Sequence, residues 1–220
     1  MGNFLKYENK FMQLIVKAVE TIAIGVISLI CSIPLFTIGA SSTALYYAYN
    51  KSIRQKKGYP ISEFFTAFKS NFKKATLANL ILLVIVFIVI SAIHACYFLK
   101  DAFPFIGLSF IVLMILSALI FIWACYLFPY LSRFQDSLKQ ATKNCILIMI
   151  ANPIWTILLF LTFAVTAIGF IILTFMSGIL GLFMPGLYIM IANLILEKVF
   201  RKYMKPEDLQ QQKDYDNELG

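Results

Sequence analysis

Between Pro34 and Thr43 the chain places a proline, a glycine (Gly39) and four hydroxyl side chains, those of Thr37, Ser41, Ser42 and Thr43, inside a stretch, 21–50, that has no charged residue. Proline withholds a donor from the helix ladder and glycine allows backbone angles that other residues avoid, so a helix must break here. Two roles fit hydroxyls at such a break. They cap a new helix that begins near Gly39 and runs on through Tyr49, or they line a polar cavity in which the exposed amides of a helix start point at the hydroxyls of a substrate.

A second set of residues is basic and aromatic. Phe64, Phe65, Phe68 and Phe72 recur at helical spacing opposite Glu63, Lys69 and Lys73, and Phe134 and Leu138 are set against Arg133, Lys139 and Lys143. Helices of this kind either lie in the plane of the headgroups or turn their aromatic face to the rest of a bundle, leaving the basic face for headgroups or a partner protein. Offset by 70 residues, Ser62/Ser132, Phe64/Phe134, Lys69/Lys139 and Lys73/Lys143 coincide, as an internal duplication would leave them and as two helices of similar job also would.

Conventional reactive groups are sparse. His94 is the single histidine, and it is expected as an interfacial, hydrogen-bonded side chain rather than a proton relay. Glu20 lies near Lys17 and is expected to snorkel at the membrane boundary. Cys31, Cys96, Cys125 and Cys145 show no C-x-x-C spacing and read as buried thiols. No phosphate-binding loop, nucleophile elbow, zinc-helix motif or carboxylate cluster occurs, so no catalytic, cofactor-binding or metal-binding residue is expected and the chain is not read as an enzyme.

The elements that position these residues must be membrane helices. Sixty per cent of the residues are hydrophobic and 14% charged, and the mean hydropathy is +0.83, whereas a soluble domain needs roughly a quarter of its residues charged. The apolar runs are continuous and as long as the ~20 residues that cross a bilayer as a helix, which excludes a barrel. An all-α polytopic transmembrane bundle follows, as one domain over 1–205 with a polar, disordered cytoplasmic tail over 206–220. The net charge of +8 does not imply nucleic acid, because the lysines and arginines are confined to segments between spans.

Six membrane helices are expected, with five as the alternative, together with in-plane amphipathic helices. In the six-helix drawing the 34–39 turn folds the first apolar stretch back on itself, both termini are cytoplasmic, and of 19 basic residues only Lys100 falls on the outer side. The third span runs from Ala75 to Phe98 and the fourth returns from about Phe105 to Phe128, with Trp123, Tyr126 and Tyr130 near its inner end as an interfacial belt. Asn152-Pro153 starts the fifth, Ser177, Gly178 and Gly181 supply a turn, and the sixth ends near Lys202. Asn79, Asn152 and Asn193 are expected to bond between helices.

The run Pro34-Leu-Phe-Thr-Ile-Gly-Ala-Ser-Ser-Thr-Ala-Leu-Tyr-Tyr47, followed by Phe64-Phe-Thr-Ala-Phe-Lys-Ser-Asn-Phe-Lys-Lys-Ala-Thr76, resembles the YesL-like family of bacterial integral membrane proteins. That family has no assigned activity. The resemblance implies a place in the bacterial cytoplasmic membrane beside carbohydrate uptake or sensing, by association with neighbouring genes. Two functions are then carried forward. The first is an accessory subunit that partners a transport or sensor complex through its inner Phe/Lys helices; the alternative is a small-solute transporter, sugar-related, with the 34–49 hairpin lining the path. Lipid handling is a third, weaker reading, suggested by the inner basic helices.

Overall fold

The computed structural model describes residues 10–99, 106–134 and 136–204. Among them the chain is helical, with no strand. Helix α1 is Lys10–Cys31, α2 is Ile38–Ala48, α3 is Pro60–Leu99, α4 is Ile106–Arg133, α5 is Leu138–Ala151, α6 is Pro153–Ser177 and α7 is Met184–Phe200. Single 3-10 turns at Leu35–Thr37 and Leu180–Phe183 lead into α2 and α7, and a π-helical stretch, Tyr49–Arg54, extends α2. Five of the helices are long and apolar enough to cross a membrane: Met12–Cys31, Pro60–Leu99, Ser109–Arg133, Pro153–Ser177 and Leu180–Phe200.

The chain does fold back after α1. Pro34 leaves the helix in an extended conformation, and the hydroxyls of Ser28 and Ser41 meet at 2.9 Å across the bend. The return leg, however, is not among the five helices long and apolar enough to cross a membrane. Helix α2 has 11 residues and is enclosed on several sides by α1, α3, α4 and α7. Its sequence explains this placement: Gly39, Ala40, Ser41, Ala44 and Ala48 are small, so neighbouring backbones come close. The approach at Gly39 is tightest, since a Cβ there would lie 2.5 Å from the Phe128 ring, 2.7 Å from the Ala75 carbonyl oxygen and 2.8 Å from the Asn79 Cβ. Farther along, Lys51 pairs with Glu63 at 2.8 Å, so α2 runs antiparallel to the first half of α3.

Helix α3 absorbs a segment expected to lie separately in the plane of the membrane. Residues 61–74 and the span that follows form one helix of 40 residues, about 60 Å long at 1.5 Å per residue and so twice the depth of a ~30 Å hydrocarbon core. Its charges, Glu63, Lys69, Lys73 and Lys74, all lie in the first half. The aromatic face there packs inward: Phe64 is fully buried, Phe68 and Phe72 lie against the core, and Phe65 stays exposed with Lys69 and Lys73.

The second expected in-plane segment, 132–143, is divided between two helices. Ser132 and Arg133 finish α4, Phe134 stacks on Tyr130 at the corner, and Lys139 and Lys143 are exposed on α5, whose N-terminus Ser137 caps. The residues matched at an offset of 70 therefore occupy unlike positions. Tyr126 and Tyr130 are likewise core residues, 0% and 3% exposed, rather than an interfacial belt. Helix α6 does start at Pro153, although the Asn152 side chain reaches Tyr203 and the Ile148 carbonyl instead of capping it. Lys100, the turn beside it and the 206–220 tail lie outside the described residues.

Helices α1 and α7 cross glycine on glycine: a Cβ on Gly25 would stand 2.9 Å from the Gly186 nitrogen. Filling either tight contact should be costly. Gly39→Val is expected to lower stability by about 1–3 kcal/mol through overpacking, while Ser91→Ala on the exposed face of α3 should stay within about 0.5 kcal/mol of the parent. Thermal unfolding of both variants in one mild detergent measures the difference.

Candidate functional site

Of the four hydroxyls expected at the bend, all but one are bonded to protein. Thr37 donates backward to the carbonyls of Cys31, at 2.6 Å, or Pro34, at 2.7 Å. Ser41 bonds the Ser28 carbonyl at 2.8 Å and Thr43 the Gly39 carbonyl at 2.8 Å. These serines and the threonine sit within α2 and do not cap it, as the helix already starts at Ile38. The Leu35 carbonyl accepts from Asn79 at 2.8 Å, which ties the bend to α3. Ser42 is the exception, facing a cavity.

The cavity measures about 870 Å³ and is walled by α1, α2, α3, α4, α6 and α7. Its walls are apolar, with Leu82, Val86, Ile120, Phe121, Phe163 and Ile189 among them. The polar side chains on the walls are mostly spent elsewhere: Ser28 on Ser41, Asn79 on Leu35, Ser117 on the Met114 carbonyl and Thr166 on the Thr162 carbonyl. The cavity is not sealed, since Ile90 and Ile171 on its walls are exposed, and apolar walls do not favour water.

At one end the cavity closes on Tyr46 and Leu196, and immediately behind them lies a buried charge. Glu197 on α7 is 0% exposed. Its Oε1 accepts from the Tyr46 hydroxyl at 2.8 Å, and Arg133 at the end of α4 places Nε 2.9 Å from Oε1 while Nη2 donates to Oε2 at 3.1 Å. Arg54, from the π-helical stretch, stands 3.7 Å from Oε2 and donates to the Asn193 side chain at 3.2 Å. Phe200 shields the group, ringed by Tyr46, Tyr126, Tyr130 and Phe134 at centroid distances of 5.8–6.4 Å.

This cluster is what residue-by-residue reading missed. By sequence Arg133 belongs with Lys139 and Lys143 on a headgroup or partner surface, yet its guanidinium is turned inward onto Glu197. Glu20 is the acid that the sequence places beside the membrane part of the first helix, whereas Glu197, for which the sequence suggested no role, is the buried acid among the described residues. The available signal was its register: Asn193, Glu197 and Phe200 are spaced four and three apart, which puts them on one face of α7, away from Lys198.

The remaining polar groups are peripheral. Lys51 is held above the usual lysine range chiefly by its hydrogen bond to Glu63. Asn152 accepts from Lys202 at 3.1 Å, and Asp136 accepts from Tyr130 at 2.6 Å and Asn144 at 3.1 Å. His94 is exposed and lies edge-on to Phe98. All four cysteines are free, and no group of three or more metal-binding side chains occurs among the described residues.

A buried carboxylate between two guanidinium groups punishes partial removal. Glu197→Leu leaves two arginines without their counter-charge and should cost about 3–5 kcal/mol, whereas Arg54→Met, Arg133→Met and Glu197→Leu together should recover most of that loss. Unfolding of the single and triple variants in detergent checks the non-additivity.

Residues 7–92 match the model of the family described as Protein of unknown function, DUF624. The matched segment holds α1, the bend, α2 and most of α3; Arg133 and Glu197 lie beyond it. No curated protein and no solved structure matches the chain. Both runs that resemble the YesL-like family fall inside the segment, while the match itself carries only the unknown-function description, so over 7–92 this membrane protein is similar to a family to which no activity is attached.

Proposed function

We propose that this membrane protein is a non-enzymatic accessory subunit of the bacterial cytoplasmic membrane, with both termini in the cytoplasm, that attaches to a transport or sensor complex. The observation that carries the proposal is where the buried polar groups point. Thr37, Ser41 and Thr43 bond protein carbonyls, and the charges of Arg54, Arg133 and Glu197 face one another. Polar groups used this way hold a bundle together; they do not line a route for a hydrophilic solute. That weakens the reading in which the hairpin is a sugar path, because only Ser42 among its candidate residues faces the cavity.

A surface for attachment remains on the basic side, where Phe65, Lys69 and Lys73 of α3 and Lys139 and Lys143 of α5 are exposed. The placement of both termini follows the distribution of lysine and arginine, which favours the cytoplasm for the basic segments. The tie to carbohydrate uptake rests on the YesL-like resemblance alone.

Crosslinking in cells followed by purification in mild detergent tests the reading. A stoichiometric membrane partner should be retained, and its recovery should fall in a Phe65→Ala, Lys69→Glu, Lys73→Glu variant; a lone chain recovered on repeated attempts would count against attachment. In the same cells, alanine at Thr37, Ser41, Ser42 and Thr43 should leave sugar uptake unchanged in any variant that is still folded and inserted.

A further inference from the structure

We propose that the cavity is a binding site for a lipid tail, occupied by one acyl chain of a bilayer phospholipid whose headgroup remains outside the bundle. Three observations converge on a hydrocarbon occupant. The volume, about 870 Å³, lies within the ~300–1,000 Å³ range of ligand pockets. Most polar side chains on the walls, those of Ser28, Asn79, Ser117 and Thr166, have committed their hydrogen bonds to protein partners, which leaves the hydroxyls of Ser32 and Ser42 on a lining that is otherwise apolar. The lining along α3 runs from Asn79 to Ile93, about 21 Å at ~1.5 Å per residue, long enough for a chain that fills half of a ~30 Å hydrocarbon core.

The opening identifies the source of the chain. At the end far from Tyr46 the cavity is bounded by Ile90 and Ile171, which are 59% and 55% exposed, on helices whose outer faces are themselves apolar and exposed. The solvent at that mouth is lipid. A free fatty acid would bring a carboxylate, and the half-buried cations Arg54 and Arg133 lie behind the closed end and are already paired with Glu197. A phospholipid tail brings no charge into the cavity.

The chemistry also explains the closed end. Tyr46 turns its ring to the cavity and its hydroxyl to Glu197, so the aromatic face completes an apolar wall while the polar tip stays with the ions. The occupant is thereby kept from a buried charge that hydrocarbon would destabilise. The site goes beyond the attachment proposed above and does not depend on it.

The test uses the full chain reconstituted in vesicles of phosphatidylglycerol containing a small fraction of the same lipid with a diazirine in the middle of one acyl chain. After illumination, peptide mass spectrometry should place adducts on cavity residues such as Ser117, Phe163 and Tyr188, in addition to the lipid-exposed Phe87 and Phe175. In the Ala124→Phe, Ala167→Phe variant, cavity adducts should fall about tenfold, as expected when side-chain volume replaces ligand volume in a packed site, while those on Phe87 stay unchanged. Adducts confined to Phe87 and Phe175 in the parent protein would overturn the proposal, as would cavity labelling that persists undiminished in a folded filled variant.

A parallel arm supplies a diazirine fatty acid in vesicles of unlabelled phosphatidylglycerol. Labelling of the cavity from the fatty acid but not from the phospholipid would overturn the assignment of source. Should the filled variant fail to fold, native mass spectrometry of the parent decides. A retained phospholipid, released by detergent exchange with loss of thermal stability, supports the site, and a lipid-free chain of undiminished stability refutes it.

Discussion

One carboxylate constrains this molecule more than any other group. Glu197 is sealed from solvent, and an ionised carboxylate in such a place is tolerable only when opposite charge and hydrogen bonds replace the water it has lost. The replacements come from distant parts of the chain: Tyr46 from α2, Arg54 from the π-helical stretch and Arg133 from the end of α4. No two of these helices can shift independently without exposing a charge to an apolar interior. The cluster sets the register of α7 against α2 and α4, and Phe200, one turn farther on, gathers the aromatic rings that keep water out.

The return leg of the bend follows from that requirement. A helix of 11 residues, most of them buried, is the right object to carry Tyr46 into the middle of a bundle. Its small face lets α3 and α4 close around it at Gly39, and the π-helical stretch keeps the chain helical as far as Arg54. Stretches of π geometry are found disproportionately where a side chain must be aimed. Here the side chain so placed is the guanidinium that bridges Asn193 and Glu197.

Around this polar knot the bundle is loosely filled. Helices α1, α2, α3, α4, α6 and α7 wall a space whose lining is mostly hydrocarbon. In water such a cavity would be a defect; in a bilayer the surrounding solvent can enter it. The same balance bears on the two readings of function, since polar groups consumed inside the fold leave apolar surfaces and the basic faces of α3 and α5 as the parts free to meet other molecules.

The sequence by itself determined the medium, the class of fold and the places where helices break. Uncharged runs of membrane length, Pro34 with Gly39, Asn152-Pro153 and Gly178 each act locally, through backbone geometry and transfer from water, so they were legible without coordinates. The tertiary structure decided what could not be local. The aromatic set Phe64, Phe68 and Phe72 turned inward as part of one long helix, and Tyr126 and Tyr130 became core because Phe200 packs against both. Arg133 left the basic surface because Glu197, 64 residues later, was buried within its reach. Whether a charge is a solvated face or a buried tie depends on what packs opposite it, and no periodicity along the chain records that.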